Sequence, residues 1–359
     1  MLQLLGEQLR RGQALDGQQA TEAVEALISE SASTQDKADF LVALARKGET
    51  AEEIAAFAVA LRARSIPPPL APETRAQEIL DVCGTGGDRL NTFNISTTVA
   101  LVAASAGITV AKHGNRAITS QAGSADVLEA LGVRIDLAPE EAASSLREQQ
   151  FAFFFAQHYH PAFKNLAAAR KLCAERGQRT IFNILGPLLN PARPTAQLVG
   201  VPRPQLCEPL GRVLQTIGVR RALIASGQVK MAGPIPGPDR PGAPPAFLDE
   251  LSTLGDNTIA EFYQDRAFST SVLSPELFPL QAARLEDLAG GDRHANAQIV
   301  RRILSGDERG PKRDAVLLNS AAALFVAGRV KSLLDGWNAA ADLIDSGRAA
   351  AKLRALAKA

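Results

Sequence analysis

The feature that most constrains this chain is a glycine-rich turn that follows a short apolar run. The run covers residues 79–82 and is typical of a buried strand, and Gly84, Gly86 and Gly87 follow it at once. Glycine has no Cβ, so it accepts a positive φ and lets a ligand approach the backbone closely. Consecutive amides in such a turn can point inward and bind an anion. The stretch therefore predicts a strand–turn–helix unit with an anion site at the end of the strand.

Two neighbouring segments supply polar groups to the same region. The residues around Ser96 open an alanine- and valine-rich helix, predicted over 97–106, and the unpaired N–H groups of a helix start favour a phosphate. A second strand, predicted over 108–111, leads to Lys112 and to a further glycine, Gly114. Each group alone has a plainer explanation, such as a helix cap or a solvated lysine. Their conjunction favours a substrate that carries more than one phosphate.

Two common phosphate-binding motifs are excluded by spacing. The turn lacks the third glycine of the dinucleotide fingerprint, and no acidic residue follows at the end of a second strand. A Walker loop is excluded because no Gly-Lys-Ser or Gly-Lys-Thr follows the glycines.

The composition is that of an ordinary globular protein, with 46% hydrophobic and 21% charged residues among 359. A net charge of +1 gives no electrostatic reason to expect binding to nucleic acid or to a membrane surface. The 3 cysteines are too few and too scattered for a disulfide framework or a zinc site. Neither a signal peptide nor an apolar run of membrane-spanning length is recognisable, so a cytoplasmic protein is expected.

The hydrophobic pattern divides the chain into two parts. Apolar residues recur at helical spacing over 1–70, and the proline-rich segment 66–72 cannot continue a helix. Beyond residue 78 short apolar runs alternate with helices, which is typical of an α/β fold with a mostly parallel sheet flanked by helices. We predict a helical domain over 1–70, joined by helices near 165–180, and an α/β domain over 73–359. The predicted strands cover 79–82, 108–111, 151–155, 198–201 and 222–225.

A series of motifs gives the chain a resemblance to a known family. In order, they read Cys-Gly-Thr-Gly-Gly-Asp (83–88), Asn-Ile-Ser-Thr (94–97), Lys-His-Gly-Asn-Arg (112–116), Gly-Ser-Ala-Asp-Val-Leu-Glu-Ala-Leu-Gly (123–132), His-Pro-Ala-Phe-Lys (160–164), Arg-Thr-Ile-Phe-Asn-Ile-Leu-Gly-Pro (179–187), Leu-Asp-Glu-Leu-Ser (248–252), Leu-Glu-Asp-Leu-Ala-Gly-Gly (285–291) and Arg-Asp-Ala-Val-Leu-Leu-Asn (313–319). Together they resemble the anthranilate phosphoribosyltransferases, a glycosyltransferase family, over nearly the whole chain.

The resemblance implies an enzyme of tryptophan biosynthesis that transfers a phosphoribosyl group from phosphoribosyl pyrophosphate to the amino group of anthranilate. It implies Mg²⁺ as cofactor and a homodimer. The residues implied to bind phosphoribosyl pyrophosphate are Gly84, Gly87, Asp88, Thr92, Asn94, Ile95, Ser96, Thr97, Lys112, His113, Gly114, Asn115, Ser120 and Ser124. Those implied to bind anthranilate are Gly84, Asn115, His160, Arg170, Gly186 and Pro187. The implied metal ligands are Ser96, Asp249 and Glu250.

Two arginines are candidates for the residue that holds the anthranilate carboxylate. A guanidinium grips a planar carboxylate with two parallel hydrogen bonds, which favours Arg170. The stretch from Arg170 to Arg179 is longer than in the family, so Arg176 is a competitor. The proton acceptor is also open: His113 and His160 are candidates, and no covalent nucleophile is expected.

A proline- and glycine-rich insertion over 228–246 precedes the acidic pair, which consists of Asp249 and Glu250. Phe247 stands where the family has glycine. The insertion is predicted to be a flexible loop, and no function is assigned to it.

Two other functions are compatible with parts of the pattern. A pyrimidine nucleoside phosphorylase shares the glycine and lysine motifs, but it needs a base-binding pocket where this chain has Asn115 and Arg170. A non-catalytic relative that binds nucleic acid needs a basic groove, and the balanced charge argues against one.

Overall fold

Four helices form the amino-terminal part of the chain in the computed structural model, which describes residues 1–117, 121–230, 245–264 and 267–358. They are α1 (Leu2–Arg10), α2 (Gly17–Ile28), α3 (Thr34–Lys47) and α4 (Ala51–Ala63). A capping box starts α4: the Thr50 hydroxyl accepts from the Glu53 amide at 3.2 Å, and the Glu53 carboxylate accepts from the Thr50 amide at 2.8 Å. Glu53 is fully buried and also pairs with Lys47 at 2.6 Å, which ties α4 to the end of α3.

A mixed sheet of 8 strands lies at the centre of the rest of the described chain. Its strands are β1 (Ile79–Gly84), β2 (Thr109–Gly114), β3 (Phe151–Phe155), β4 (Ala196–Gly200), β5 (Arg221–Val229), β6 (Ala246–Leu248), β7 (Asn257–Tyr263) and β8 (Ala267–Leu273). The order is β3-β2-β1-β4-β5-β7-β8, and β6 pairs with the end of β5. The first five strands in this order are parallel, and β6, β7 and β8 are antiparallel. The predicted strands and the mostly parallel sheet are confirmed, whereas the antiparallel edge was not predicted.

The other helices surround this sheet. They are α5 (Pro72–Arg75), α6 (Ile95–Ser105), α7 (Ser124–Ala130), α8 (Pro139–Gln149), α9 (Ala156–Tyr159), α10 (Ala167–Glu175), α11 (Cys207–Thr216), α12 (Arg293–Leu304), α13 (Pro311–Val326), α14 (Leu333–Asp345) and α15 (Arg348–Leu356). Short 3₁₀ turns cover Pro161–Leu166, Ile181–Asn183, Gly186–Leu188, Pro204–Leu206, Pro275–Leu277 and Leu285–Leu288. Helix α6 starts earlier than residue 97, because the Asn94 carbonyl already accepts from the Thr98 amide at 3.1 Å. In the described residues no helix is both long and apolar enough to cross a membrane.

Successive residues of the central strands face opposite apolar layers, as the pleat requires. Leu198 and Leu223 pack in the layer that contains α6 and α13. Val199 and Ile224 pack in a second layer with the amino-terminal helices and α11. Helix α10 belongs to this second layer and packs against α3. The division into domains over 1–70 and 73–359 stays a prediction.

The insertion predicted as a loop over 228–246 is ordered at both ends. Strand β5 runs on to Val229, and β6 begins at Ala246 and pairs with it. The loop prediction is therefore wrong for these ends, because main-chain pairing continues β5 beyond its apolar part. Residues 231–244 lie outside the described residues. The β5–β6 pairing delivers the acidic pair that follows Leu248 back toward the ends of the parallel strands.

Candidate active site

The acidic pair crosses the sheet at a place where neighbouring strands end in glycine. Gly84 of β1 and Gly200 of β4 are directly paired, and Gly227 lies near the end of β5. A Cβ on Gly84 would overlap the Asp249 carboxylate, and one on Gly200 would overlap the Asp249 carbonyl oxygen. A Cβ on Gly227 would lie 2.5 Å from the Ser252 amide nitrogen. The missing side chains therefore leave the space in which residues 249–252 lie.

The two carboxylates close onto the glycine turn and the start of α6. Asp249 Oδ2 accepts from the Gly86 amide at 2.7 Å. Glu250 Oε1 accepts from the Ser96 amide at 3.1 Å. The structure thus brings together all three residues that the resemblance implied as metal ligands, Ser96, Asp249 and Glu250. It places them beside Asp88, whose negative charge adds to theirs.

Burial raises the pKa of the Asp249 carboxyl well above its usual range, and the neighbouring charges of Asp88 and Glu250 raise it further. Burial also raises the pKa of Glu250, while Lys112 opposes the increase. Carboxylates held so close together disfavour their own ionisation, and a bound cation would remove this cost.

The available oxygen atoms fit a magnesium ion. Among the described residues, no group of three or more His, Cys, Asp and Glu side chains is placed to hold a metal ion unaided. Mg²⁺ does not need such a group, because it keeps several waters and is usually bound through one or two carboxylates together with phosphate oxygens. A buried pair of carboxylates with a serine beside it meets this requirement.

Lys112 lies beneath these groups rather than at their open side. Its side chain is 1% exposed, and Nζ donates to the Val82 carbonyl at 2.7 Å and lies 3.5 Å from Ser96 Oγ. The fully buried Asp81 raises the pKa of Lys112, whereas burial lowers it more strongly. Burial raises the pKa of Asp81 to about 6. Sequence reasoning missed Asp81, although an acidic residue inside an apolar strand was a visible signal.

The segment that leads into α6 is held by its own side chains and by a distant turn. Asn94 Nδ2 donates to the Ala122 carbonyl at 3.2 Å, and Asn94 Oδ1 accepts from Asn296 Nδ2 at 2.9 Å. Thr92 pairs with Ala289 as an isolated β-bridge. The Asn94 side chain is therefore already engaged in the scaffold, which sequence reasoning did not foresee.

Other residues that the resemblance implied to bind phosphoribosyl pyrophosphate differ in their hydrogen-bond partners. Ile95 is buried, and its amide bonds the Phe93 carbonyl at 2.7 Å. The buried Thr97 hydroxyl has no hydrogen-bond partner in the described part of the chain. Ser124 Oγ donates to the Asn115 carbonyl at 3.4 Å and lies where a Cβ of Gly114 would be. Ser120 lies outside the described residues.

A cluster of aromatic rings adjoins the end of β2. His113 Nδ1 donates to the Gly186 carbonyl at 3.2 Å, and its ring meets the His160 ring edge-on at 5.3 Å. His160 stacks on Phe163 at 5.2 Å, and Phe163 meets Phe182 at 5.7 Å. The two phenylalanines were not assigned by sequence reasoning, although both lie inside motifs of the resemblance. They connect the two histidines to Arg170.

The two candidate arginines lie in different environments. The Arg170 guanidinium lies 5.3 Å from the centre of the Phe182 ring, and within residues 1–117, 121–230, 245–264 and 267–358 it makes no ion pair. Burial lowers the pKa of Arg170. Arg176 is exposed at the end of α10 and pairs with Asp39 at 3.4 Å. The geometry favours Arg170, because its guanidinium lies against the aromatic cluster.

Two other predicted anthranilate residues lie next to this cluster in the chain, since Asn115 directly follows β2 and Pro187 follows Gly186 in the same 3₁₀ turn. Asn115 Oδ1 accepts from Gln157 Nε2 at 3.4 Å, and the Pro187 carbonyl accepts from Nε2 of the buried Gln197 at 2.9 Å. Gly84 lies under Asp249 instead. A further arginine, Arg179, was missed: its Nη2 donates to the Gly87 carbonyl at 3.4 Å and so connects the glycine turn to the segment after α10.

Both histidines are expected to stay neutral at pH 7 and to make the fold sensitive to acid. Burial lowers the pKa of His113 to about 3 and that of His160 to about 4, from an ordinary value of 6.5. The unfolded chain then binds more protons below pH 6.5, so stability is full above that pH and is lost as the pH falls. At pH 5 the loss should be on the order of 2 kcal/mol per histidine.

Urea unfolding at pH 7.5 and pH 5 tests this expectation. The free energy of unfolding of the His160→Asn variant should fall less between the two pH values than that of the wild type. An equal fall in both proteins would contradict a buried neutral His160.

Comparisons with known proteins show which family this chain resembles along its length. Residues 5–65 match the family described as "Glycosyl transferase family, helical bundle domain". Residues 76–233 and 245–350 match "Glycosyl transferase family, a/b domain". The anthranilate phosphoribosyltransferase of Petrotoga mobilis is 41% identical over 96% of this chain and 92% of its own length. That of Thermomicrobium roseum is 44% identical over 96% and 93%.

Solved structures are also similar. The anthranilate phosphoribosyltransferase of Thermus thermophilus superposes with a TM-score of 0.84 at 38% identity and covers 99% of both chains. The enzyme of Saccharomyces cerevisiae in complex with PRPP and Mg has a TM-score of 0.78 at 26% identity and covers 94% of this chain and 92% of its own.

Proposed function

The chain belongs to the anthranilate phosphoribosyltransferases of the glycosyl transferase family, and we propose that the cleft at the carboxyl ends of β1, β2 and β4 is its active site. The enzyme transfers the phosphoribosyl group of phosphoribosyl pyrophosphate to the amino group of anthranilate and releases pyrophosphate, in tryptophan biosynthesis. The observation that carries the assignment of the cleft is the closure of Asp249 and Glu250 onto the glycine turn and the start of α6.

The phosphate half of the cleft would bind the donor through backbone groups and hydroxyls. Cleavage of the glycosidic bond builds positive charge on the ribose and negative charge on the departing pyrophosphate, so positioning and charge stabilisation supply most of the catalysis. The Gly86 and Ser96 amides already donate to Asp249 and Glu250, so the other amides of the glycine turn and of the first turn of α6 would bind the anion. Lys112 would contribute its charge from below, because its ammonium group is buried against Val82. Asn94 would order the turn rather than bind phosphate with its side chain.

Mg²⁺ is the proposed cofactor, and Ser96, Asp249 and Glu250 would hold it. When bound, it would neutralise the charge of the pyrophosphate group. The S. cerevisiae relative in complex with PRPP and Mg supports this proposal.

The aromatic half of the cleft would bind anthranilate. The Arg170 guanidinium would pair with the anthranilate carboxylate, and Phe163 and Phe182 would pack beside the anthranilate ring. Because the Gly186 carbonyl can only accept, the proton of the neutral His113 ring is on Nδ1 and a lone pair is left on the buried Nε2. Such a lone pair can accept a hydrogen bond from an arylamine, which is nucleophilic without a strong base. The S. cerevisiae relative in complex with 4-fluoroanthranilate supports an aromatic acceptor in this fold.

A steady-state assay tests this assignment. Loss of anthranilate fluorescence should need phosphoribosyl pyrophosphate, anthranilate and Mg²⁺ together, and EDTA should stop it. Folded protein that consumes no anthranilate under these conditions would exclude the assigned reaction. Phosphorolysis of pyrimidine nucleosides and salt-dependent retention on DNA-cellulose would then distinguish the alternatives.

The assembly and location of the enzyme are proposed as a homodimer in the cytoplasm. Leu4 and Val59 are exposed on α1 and α4, and contact between the amino-terminal helices of two copies would cover such side chains. Sedimentation equilibrium at micromolar concentration would measure the mass of the assembly directly.

A further inference from the structure

The segment that carries the acidic pair is fixed from behind by an asparagine of α13. Asn319 Oδ1 accepts from the Leu251 amide at 2.9 Å, and its Nδ2 donates to the Leu251 carbonyl at 2.9 Å. Nδ2 also donates to the Ala315 carbonyl of its own helix at 2.9 Å. Asn319 is fully buried. One side chain thus satisfies both main-chain groups of the residue that follows Glu250.

A second asparagine makes the same two kinds of hydrogen bond with the main chain of the next residue, Ser252. Asn257, at the start of β7, accepts from the Ser252 amide at 2.6 Å and donates to the Ser252 carbonyl at 3.0 Å. Buried peptide groups cost free energy when they lack partners. Residues 251 and 252 lie between β6 and β7, and two side-chain amides provide the pairing that a sheet ladder would otherwise supply.

Helix α13 reaches both sides of the proposed metal site. It packs against α6, which begins at Ile95 and presents the Ser96 amide to Glu250. It also holds Leu251 through Asn319. One helix therefore contacts both the helix that carries Ser96 and the segment that carries the two carboxylates. In front, Gly200 leaves no room for the segment to advance without a collision with the strand backbone.

We propose that Asn319 is a positioning residue that sets Asp249 and Glu250 at the distance from Ser96 that a divalent cation requires. The proposal rests on the proposed function, because it assigns Asn319 to the phosphate half of that cleft, where the metal would bind. The hydrogen bonds of the Asn319 side chain within the described residues go to main-chain groups of Leu251 and Ala315, so its expected contribution is to the coupling between metal and phosphoribosyl pyrophosphate. The KM for anthranilate, which binds in the aromatic half of the cleft, should not depend on Asn319.

The test measures this coupling by calorimetry without anthranilate. The affinity for phosphoribosyl pyrophosphate is determined with Mg²⁺ and again with EDTA, and their ratio gives the gain due to the metal. Two variants are compared: Asn319→Ala removes all three hydrogen bonds, and the isosteric Asn319→Asp keeps the acceptor for the Leu251 amide but loses the donor. The matched control is Ser320→Ala, since Ser320 is equally buried in α13 and its hydroxyl has no hydrogen-bond partner in the described residues.

We expect the gain due to Mg²⁺ to fall about tenfold or more in both Asn319 variants, as for loss of an oriented metal site. The affinity in EDTA and the KM for anthranilate should stay within twofold of wild type, and Ser320→Ala should match wild type throughout. An unchanged gain in folded Asn319 variants would overturn the proposal. Failure of both variants to fold would also overturn it in favour of a purely structural role. A wild type without turnover would instead refute the proposed function.

Discussion

Replacement of Gly200 by alanine is expected to lower kcat/KM by at least about 100-fold, because displacement of a catalytic group by about 1 Å has an effect of this size. The new Cβ would overlap the Asp249 carbonyl oxygen, and its next neighbours are the Asp249 carbonyl carbon and the Glu250 amide. All these atoms belong to the backbone, so no side-chain rotation relieves the collision. The segment must move away from β4, and both carboxylates must move with it.

The activity of Gly200→Ala is best measured per folded molecule, because crowding of this kind also destabilises a protein by about 1–3 kcal/mol. Thermal unfolding and far-UV circular dichroism give the folded fraction. Gly17→Ala is the control, since a Cβ on Gly17 meets nothing within 4 Å. It should retain wild-type activity. Wild-type kcat/KM in Gly200→Ala would show that residues 249–250 do not lie over β4 during turnover.

The parts of the site that local sequence determines could be predicted. The turn at Gly84 follows from an apolar strand that ends in glycines. The start of α6 was predicted only to within two residues, and its N-cap residue, Asn94, makes no capping hydrogen bond with its side chain. The five parallel strands were also predictable, because strands buried on both faces are continuous apolar runs. Such features depend on neighbours in the chain, so composition and spacing report them directly.

Contacts between distant residues could not be derived from local patterns. Asp249 is 163 residues away from Gly86, whose amide it binds. Only the resemblance connected the acidic pair with the glycine turn, and it did not indicate that Gly200, Asn257 and Asn319 hold the pair. Residues of this kind have no local signature, because their role depends on what the fold places opposite them.

The antiparallel edge of the sheet escaped prediction for a different reason. Most of strand β8 is exposed, and its middle is the polar run Ser-Thr-Ser over 269–271. Its pairing with β7 comes from main-chain hydrogen bonds along the whole strand. A strand with little apolar surface lacks the periodic pattern on which such a prediction depends.

The second large effect on kcat/KM is expected at the arginine that binds the anthranilate carboxylate. Arg170→Ala is expected to raise the KM for anthranilate and to lower kcat/KM about 100-fold. Loss of a charge-assisted, two-point contact to a carboxylate costs about 3 kcal/mol, and each 1.4 kcal/mol is tenfold. The guanidinium packs on Phe182 and makes no ion pair within the described residues, so no carboxylate of this part of the protein competes for its charge. The KM for phosphoribosyl pyrophosphate should not change, because that substrate occupies the other half of the cleft.

Arg176→Ala is the matched control, because Arg176 lies directly after α10 and pairs with Asp39 on an exposed surface. An exposed pair of this kind contributes about 1 kcal/mol or less to stability, so kinetics and unfolding should both stay near wild type. Arg170→Lys should lie between wild type and Arg170→Ala, since an ammonium keeps the charge and loses the planar two-point contact. If Arg176→Ala instead raised the KM for anthranilate and Arg170→Ala did not, the longer segment before Arg179 would have moved the carboxylate site to Arg176, and the aromatic cluster would bind a different part of the substrate.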